Sequence, residues 1–309
     1  MSQPQKQQRT LHPLEGIVAG CALFFVLALT VGFAQAAADV RNKARAQKAT
    51  VTQGALTQKV SFRSASVLVQ DAETGEVVFT KNSEAIVPIA SITKLMTAIV
   101  TIDRGVDLEE SVTLSKEDVD LRKGTKSRLR PGVVLTRSEL LMLALMASEN
   151  RAAAALGRSY PEGKEAFIGA MNLKAAELGM SDSRFVDPTG LSKGNVSSAR
   201  DLAKLVHAAH GYELIREYST RDRATVSALG RPMVFRNTNG LVRNSHWEIG
   251  LSKTGYISEA GRCLVMRVRL ASQDLIVVLL DSWGKQSRTG DANRIRKWLE
   301  TNASRGQRS

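Results

Sequence analysis

Pro88-Ile89-Ala90-Ser91-Ile92-Thr93-Lys94-Leu95-Met96-Thr97-Ala98 is the stretch from which the rest of the chain can be read. Leu95, Ile99 and Ile102 recur at helical spacing after it, so a helix is expected from Ser91 through Arg104. Ser91 then sits at the helix start and Lys94 one turn on, on the same face. A serine hydroxyl is a weak nucleophile and needs an adjacent base. Lysine can be that base only if its amine is neutral near pH 7, which requires burial or a neighbouring cation. The positive end of the helix dipole would lie near an oxyanion formed by attack from Ser91. The S-x-x-K spelling is cheap in a chain of this length, and Ser282-Trp283-Gly284-Lys285 repeats it. That copy follows a strand pattern and contains glycine, so its Ser and Lys need not share a helical face.

Two further words follow in order. Ser148-Glu149-Asn150 ends the apolar run Leu143-Ala144-Leu145-Met146-Ala147. Alone, a Ser and an Asn at such a junction read as helix caps; as catalysts, Ser148 would relay a proton and Asn150 would bond a substrate amide. Lys253-Thr254-Gly255 lies in the strand pattern Ile249 to Tyr256, where alternation puts Lys253 and Gly255 on one side and Thr254 on the other. Lys253 offers a charge for a carboxylate, and Gly255 lets a substrate backbone approach the strand edge. Alone, Lys253 would read as a solvent-facing lysine. Three such words on a helix start, a helix junction and a late strand are far less probable by accident than any one of them.

Ser66 to Gln70 and Glu76 to Thr80 flank Asp71-Ala72-Glu73-Thr74-Gly75 as a β-hairpin. Helical patterns follow at Thr136 to Ala147, Asn150 to Arg158, Gly163 to Leu178 and Ala199 to His210. Three strand patterns return at Ile249 to Tyr256, Arg262 to Leu270 and Asp274 to Asp281, and Asp291 to Glu300 closes as a helix with Ile295, Trp298 and Leu299 inward. The expected class is α+β: one five-stranded antiparallel sheet built from both ends of the chain, flanked by helices, with a mostly helical insertion over about 105–245. Expected boundaries are a leader 1–36, a connector 37–62, one domain 63–303 and a polar tail 304–309.

The formal net charge is +13, and removal of 1–36 (Lys6 and Arg9 against Glu15) leaves +12. Such a surface implies anionic surroundings: nucleic acid, acidic lipid or cell-wall polymer. The basic residues are dispersed and aromatics are few, which argues against a nucleic-acid module, and none is expected as a partner. Lys6 and Arg9, the apolar run Ile17 to Ala34 and Ala34-Gln35-Ala36 read as a signal peptide cleaved after Ala36, so export and no stable membrane anchor after cleavage are expected. The alternative is an uncleaved anchor, since the run approaches spanning length. Val18-Ala19-Gly20-Cys21 is no lipoprotein box, because its apolar run follows the cysteine. Cys263 would then be the one remaining cysteine, read as a packed structural thiol with no base beside it.

Other patterns carry less. His207 and His210 with Glu213 read as a polar helix face, no His-Glu-x-x-His word being present. Gly157 to Lys164 has the wrong spacing for a phosphate loop. Neither a metal nor a cofactor is expected.

The stretch Pro88 to Ala98 resembles the active-site helix of low-molecular-mass penicillin-binding proteins. Leu145 to Ala152 is similar to their middle motif, Phe185-Val186-Asp187-Pro188-Thr189-Gly190-Leu191 is typical of them, and Leu251 to Gly255 completes a match over roughly residues 60–300. Within that family the chain most resembles the D-alanyl-D-alanine endopeptidases of the penicillin-binding protein 7 type. The resemblance implies a penicillin-binding-protein/β-lactamase-like fold. It implies that Ser91 attacks a D-alanyl carbonyl with Lys94 as base, and that Ser148 returns a proton to the leaving amine. Asn150 and Thr254 would hold the peptide, and Lys253 would attract its carboxylate and help keep Lys94 neutral. The backbone N–H groups of Ser91 and Tyr256 would form the oxyanion hole. Peptidoglycan stems and cross-bridges are the implied partners, β-lactams the covalent inhibitors, and the periplasm the location. Glu149 departs from the Asp or Gly frequent in carboxypeptidase relatives. After Asp281 there is room for one helix only, and Ser304 to Ser309 is too short for an amphipathic membrane helix; both favour the endopeptidase over the carboxypeptidase alternative. A β-lactamase would need a Glu-x-x-Leu-Asn segment, which does not occur. An inactive wall-binding scaffold is the remaining alternative, disfavoured by the complete set of motif residues.

Overall fold

A computed structural model describes residues 60–306, Arg122 excepted. The expected leader 1–36 and most of the connector 37–62 lie outside the described residues, as does the end of the tail. Among the described residues no helix is long and apolar enough to cross a membrane.

In chain order the elements begin with strands β1 (Ser64–Asp71), β2 (Val77–Lys81) and β3 (Val87–Pro88), then helix α1 (Thr93–Asp103). Strands β4 (Ser111–Thr113) and β5 (Val134–Thr136) precede helices α2 (Arg137–Met146), α3 (Asn150–Arg158) and α4 (Gly163–Glu177). Next come β6 (Val196–Ser197), α5 (Ala199–His210), α6 (Glu213–Thr220), β7 (Arg223–Ala228) and β8 (Arg231–Arg236). Strands β9 (Glu248–Ile257), β10 (Gly261–Leu270) and β11 (Gln273–Ser282) lead to α7 (Ser287–Gly306).

The expected sheet is present: five antiparallel strands in the order β2-β1-β11-β10-β9, with the N-terminal hairpin paired to the last strand. Strand alternation gives the sheet two apolar faces. Leu68, Cys263, Val265, Ile276, Val278 and Leu280 enter the core shared with the helices. Val67, Val69, Leu264, Met266, Val277 and Leu279 are equally buried on the opposite side, where α7 packs across β10, β11 and β1. Both faces are covered, so β11 reads as a continuous apolar run, Leu275 to Leu280. The helices of the middle segment meet the other face through α5, which lies on β11, β10 and β1.

The insertion is less purely helical than expected. Strands β4 and β5 pair, and β7 and β8 form a hairpin. The hairpin turn is Leu229-Gly230, both at positive φ (52° and 73°), the geometry of the turn that favours Asn-Gly. A leucine at that turn and Pro232 within β8 hide the pattern from a reading by turn residues. The last helix is also longer than expected: it starts at Ser287 and continues through Gly306.

One buried polar cluster fastens the two ends of the chain. The Asp291 carboxylate on α7 accepts the Ser64 N–H (2.7 Å), the Ser64 hydroxyl (2.6 Å) and the Arg63 N–H (3.1 Å). The Ser64 proton is committed there, so Ser282 donates its own to Ser64 Oγ at 2.6 Å. This gives Ser282, the first residue of the second S-x-x-K word, a structural place. Asp291→Ala leaves a buried N–H and hydroxyl without their acceptor. It is expected to cost about 3 kcal/mol and lower Tm by roughly 6–12 °C in thermal denaturation; an unchanged Tm would show that the cluster does not fasten the ends.

Candidate active site

Ser91 lies in a 3-10 turn, Ala90–Ile92, ahead of α1, and not in the helix itself. The turn begins at Ala90, whose φ of 48° is left-handed, a conformation costing a non-glycine residue about 1–3 kcal/mol. Two glycines hold it from either side. A Cβ on Gly190 (φ 80°) would fall 2.0 Å from the Ala90 carbonyl oxygen. A Cβ on Gly255 would fall 2.9 Å from Ile89 O and 3.1 Å from Ser91 N. Gly255 therefore admits the Ser91 turn against the edge strand β9, a closer contact than the substrate approach expected for it. The same contact brings the Gly255-Tyr256 backbone alongside the Ser91 N–H.

Lys94 is fully buried on the first turn of α1. Its amine donates to Ser91 Oγ (2.8 Å), Asn150 Oδ1 (2.8 Å) and the Thr189 carbonyl (2.6 Å). Burial pushes its pKa down to about 7, opposed by the carboxylates of Asp187 and Glu149. A neutral amine has two protons and one lone pair. Asn150 Oδ1 and the Thr189 carbonyl can only accept, so they claim both protons, and the lone pair is left for the Ser91 hydroxyl. That arrangement can take the proton from Ser91.

Asn150 starts α3, and its Nδ2 donates to Thr125 Oγ1 at 3.1 Å, which fixes the orientation of its amide. Ser148 stands in the bend between α2 and α3, half-buried and at a φ of 57°. It is not one of the three groups that the Lys94 amine bonds. Glu149 has a structural task as well: its carboxylate caps α3 by accepting the Arg151 N–H.

Lys253 is buried on β9 and donates to the Thr254 carbonyl at 3.0 Å. Its pKa is well below the ordinary lysine value, through burial first and then the charges of Lys94 and Arg288. Burial of Lys94 itself, and not a charge on Lys253, is the main cause of the Lys94 depression. Thr254 shares a hydrogen bond with Thr238 (2.7 Å). Tyr256 exposes its ring beneath the Arg262 guanidinium, 4.6 Å from the ring centroid. Arg288 on α7 donates to the Gly255 carbonyl (2.9 Å) and the Cys263 carbonyl (3.2 Å), holding the strand from behind.

Thr189, Asp187 and Asn195 escaped the residue-by-residue reading, although the segment Phe185 to Leu191, which holds the first two, was singled out by resemblance. The Asp187 carboxylate accepts the N–H groups of Thr189, Gly190 and Ser192 and the Thr189 hydroxyl. Asn195, fully buried, accepts from Val186 N and Asp187 N and donates to Asp187 O and Thr93 Oγ1. Thr97 on α1 donates to Pro188 O at 2.7 Å. The loop is thus bolted to α1 and presents Thr189 O to Lys94. Beside it opens a cleft of about 660 Å³ lined by Asn150, Arg158, Glu165, Asp187, Thr189 and Leu191 among others.

The weaker motifs have packing roles. Gly157 faces Pro188, where a Cβ would lie 2.8 Å from the ring. His207 Nδ1 lies 3.2 Å from the Ala72 carbonyl. Cys263 is buried, and burial pushes its thiol up to about 11. Among the described residues no three His, Cys, Asp or Glu side chains gather as metal ligands.

Asn195→Ala removes three hydrogen bonds within the loop and one from the loop to α1. It is expected to destabilise by about 2–4 kcal/mol in chemical denaturation, and a loss below about 0.5 kcal/mol would contradict the bolted-loop description.

The sequence profile described as D-alanyl-D-alanine carboxypeptidase matches residues 51–284. A D-alanyl-D-alanine endopeptidase of Pseudomonas aeruginosa is 48% identical over 241 residues, 77% of each chain. An Escherichia coli protein of the same name is 46% identical over 240 residues, again 77% of each. The crystal structure of a Streptomyces DD-transpeptidase superposes with a TM-score of 0.72 at 26% identity, covering 80% of this chain and 99% of that one. With Ser91, Lys94 and Asn150 bonded together on that fold, the chain belongs to the D-alanyl-D-alanine carboxypeptidase family of serine peptidases.

Proposed function

We propose that this protein is a penicillin-sensitive serine D,D-endopeptidase that hydrolyses D-alanyl cross-bridge bonds of peptidoglycan through an acyl-enzyme on Ser91. The observation that carries the reading is the buried Lys94 amine, with both its protons taken by acceptor-only oxygens and its lone pair left for Ser91. The names of the nearly half-identical relatives support endopeptidase over carboxypeptidase as the main activity.

Ser91 Oγ attacks the D-alanyl carbonyl carbon while its proton passes to Lys94. The oxyanion that forms is held by the backbone N–H groups of Ser91 and Tyr256. As the peptide C–N bond breaks, the leaving nitrogen takes through Ser148 the proton that Lys94 removed from Ser91. Water then attacks the ester and gives a proton to Lys94, which passes it to Oγ as the Oγ–C bond breaks, restoring both Ser91 and the neutral Lys94. Asn150, Thr254 and the Gly255 backbone line the peptide's path. Lys253 receives the substrate carboxylate: an incoming anion favours the ammonium form that burial disfavours in the empty site.

A cell-wall substrate lies outside the cytoplasm. We further assign the chain to the periplasm, with 1–36 as its leader and 63–303 as its catalytic domain; β-lactams are its covalent inhibitors.

Three measurements test this account. Because Lys94 titrates near 7 and its neutral form is the base, acylation by a labelled penicillin is expected to rise about tenfold per pH unit below 7 and level off above it. A rate constant independent of pH between about 5.5 and 8.5 would remove Lys94 as the base. Ser91→Ala is expected to lose acylation altogether, and Asn150→Ala to slow it by roughly 10²–10³-fold. Digestion of cross-linked dimers beside pentapeptide monomers separates the activities: cleavage of monomers only would leave a carboxypeptidase.

A further inference from the structure

Beside the Ser148-Glu149-Asn150 junction lies a second groove, of about 500 Å³, between the 126–128 loop and β8. Ala147 and Glu149, the neighbours of Ser148, form one wall, and Lys126, Arg128, Phe235 and Arg236 form the rest. The three cations are exposed. Among the described residues none of them has an acidic side chain within ion-pair distance. Arg128 is fixed instead by stacking 4.2 Å from the Phe235 ring centroid and by donating to the Val234 carbonyl at 2.5 Å. The single carboxylate in the groove, Glu149, is engaged in capping α3.

The hairpin adds a cost with no structural return. Arg236 stands directly opposite Arg223 in the β7–β8 register, and like charges in that relation destabilise a strand pair. The groove is nevertheless rigidly tied to the site. Thr238, two residues beyond Arg236, donates its N–H to Met146 O at the end of α2 and shares a hydrogen bond with Thr254 on β9.

The geometry points to an anion subsite for the leaving half of the substrate: Lys126, Arg128 and Arg236 bind the free carboxylates that the acceptor stem peptide keeps beyond the scissile bond. The inference rests on the D-alanyl peptidase reading and deepens it. Ser148 is the group that protonates the leaving amine, and the groove opens on its flank, so what lies beyond that amine lies over the cations. A pentapeptide monomer releases one D-alanine and has little to place there. A cross-linked dimer releases a whole stem peptide. The groove is therefore a selectivity device for cross-links, and it gives part of the large positive charge a task.

The test is binding to the full chain carrying Ser91→Ala, which removes turnover from the readout. A cross-linked muropeptide dimer with free stem carboxylates and a counterpart amidated only at the acceptor-stem carboxylates assigned to the groove, with the one that Lys253 receives kept free, are titrated by calorimetry. The free-carboxylate dimer is expected to bind roughly tenfold tighter at about 50 mM salt, with the preference shrinking at about 300 mM. Adding Lys126→Glu and Arg236→Glu, both at exposed positions, is expected to reduce the preference below about twofold. Equal affinity for the two dimers, or a preference that survives the double charge reversal, overturns the subsite. Hydrolysis of the same dimer by the unsubstituted chain is read separately. Absent hydrolysis with carboxylate-dependent binding intact would leave the groove standing and remove the endopeptidase reading.

Discussion

A lysine amine placed wholly inside the protein, with more acceptors around it than it has protons to give when neutral, is the constraint on which the site depends. An ammonium at Lys94 would satisfy all three neighbouring oxygens, but it would hold a charge out of water. Burial tips the balance until both forms are populated near pH 7. The neutral form has one arrangement open to it, with the lone pair on Ser91. In the proposed mechanism that hydrogen-bond count selects the direction of proton transfer.

That arrangement is costly to build, and much of the surrounding structure can be understood as holding it. Ala90 and Ser148, both in left-handed conformations, bracket the site. Gly190 and Gly255 let a loop and a strand close on the Ser91 turn more tightly than any side chain would allow. Asp187 and Asn195 spend their polar atoms on the loop that delivers Thr189 O. The sheet supplies the remaining rigidity, since β9 is registered through β10 and β11 to the first strand of the domain and fastened there by Asp291. A site made from residues 91, 150, 189 and 253 thus acquires one geometry from contacts between distant parts of the chain.

The five strands and most helices were legible because their apolar residues repeat at two or 3.6 residues and are bounded by ordinary breakers. The β7–β8 hairpin was not, because Leu229 occupies a turn position where sequence rules look for Asn or Gly. Ser91 and Lys94 were legible as a pair, since a turn and a helix both bring i and i+3 together. The 3-10 geometry was not, because it is imposed by Gly190 and Gly255, far away in sequence. Thr189 contributes a backbone carbonyl, which no residue type announces. Lys253 was expected to act on Lys94 through its charge, yet its burial, a product of strand position, lowers its own pKa as well. Local chemistry was visible in the letters, while desolvation and close approach arise only when separate segments meet.

The central claim is that the fold makes Lys94 a neutral base aimed at Ser91 near physiological pH. Nitrogen-15 NMR of the lysine side chains, with Lys94 assigned by its loss in Lys94→Met, tests it without reference to any substrate. The account predicts a side-chain nitrogen that titrates near 7 and, above that pH, couples to two protons while receiving a hydrogen bond from Ser91. A Lys94 signal that remains a three-proton ammonium up to about pH 10, near the ordinary lysine value, would contradict it.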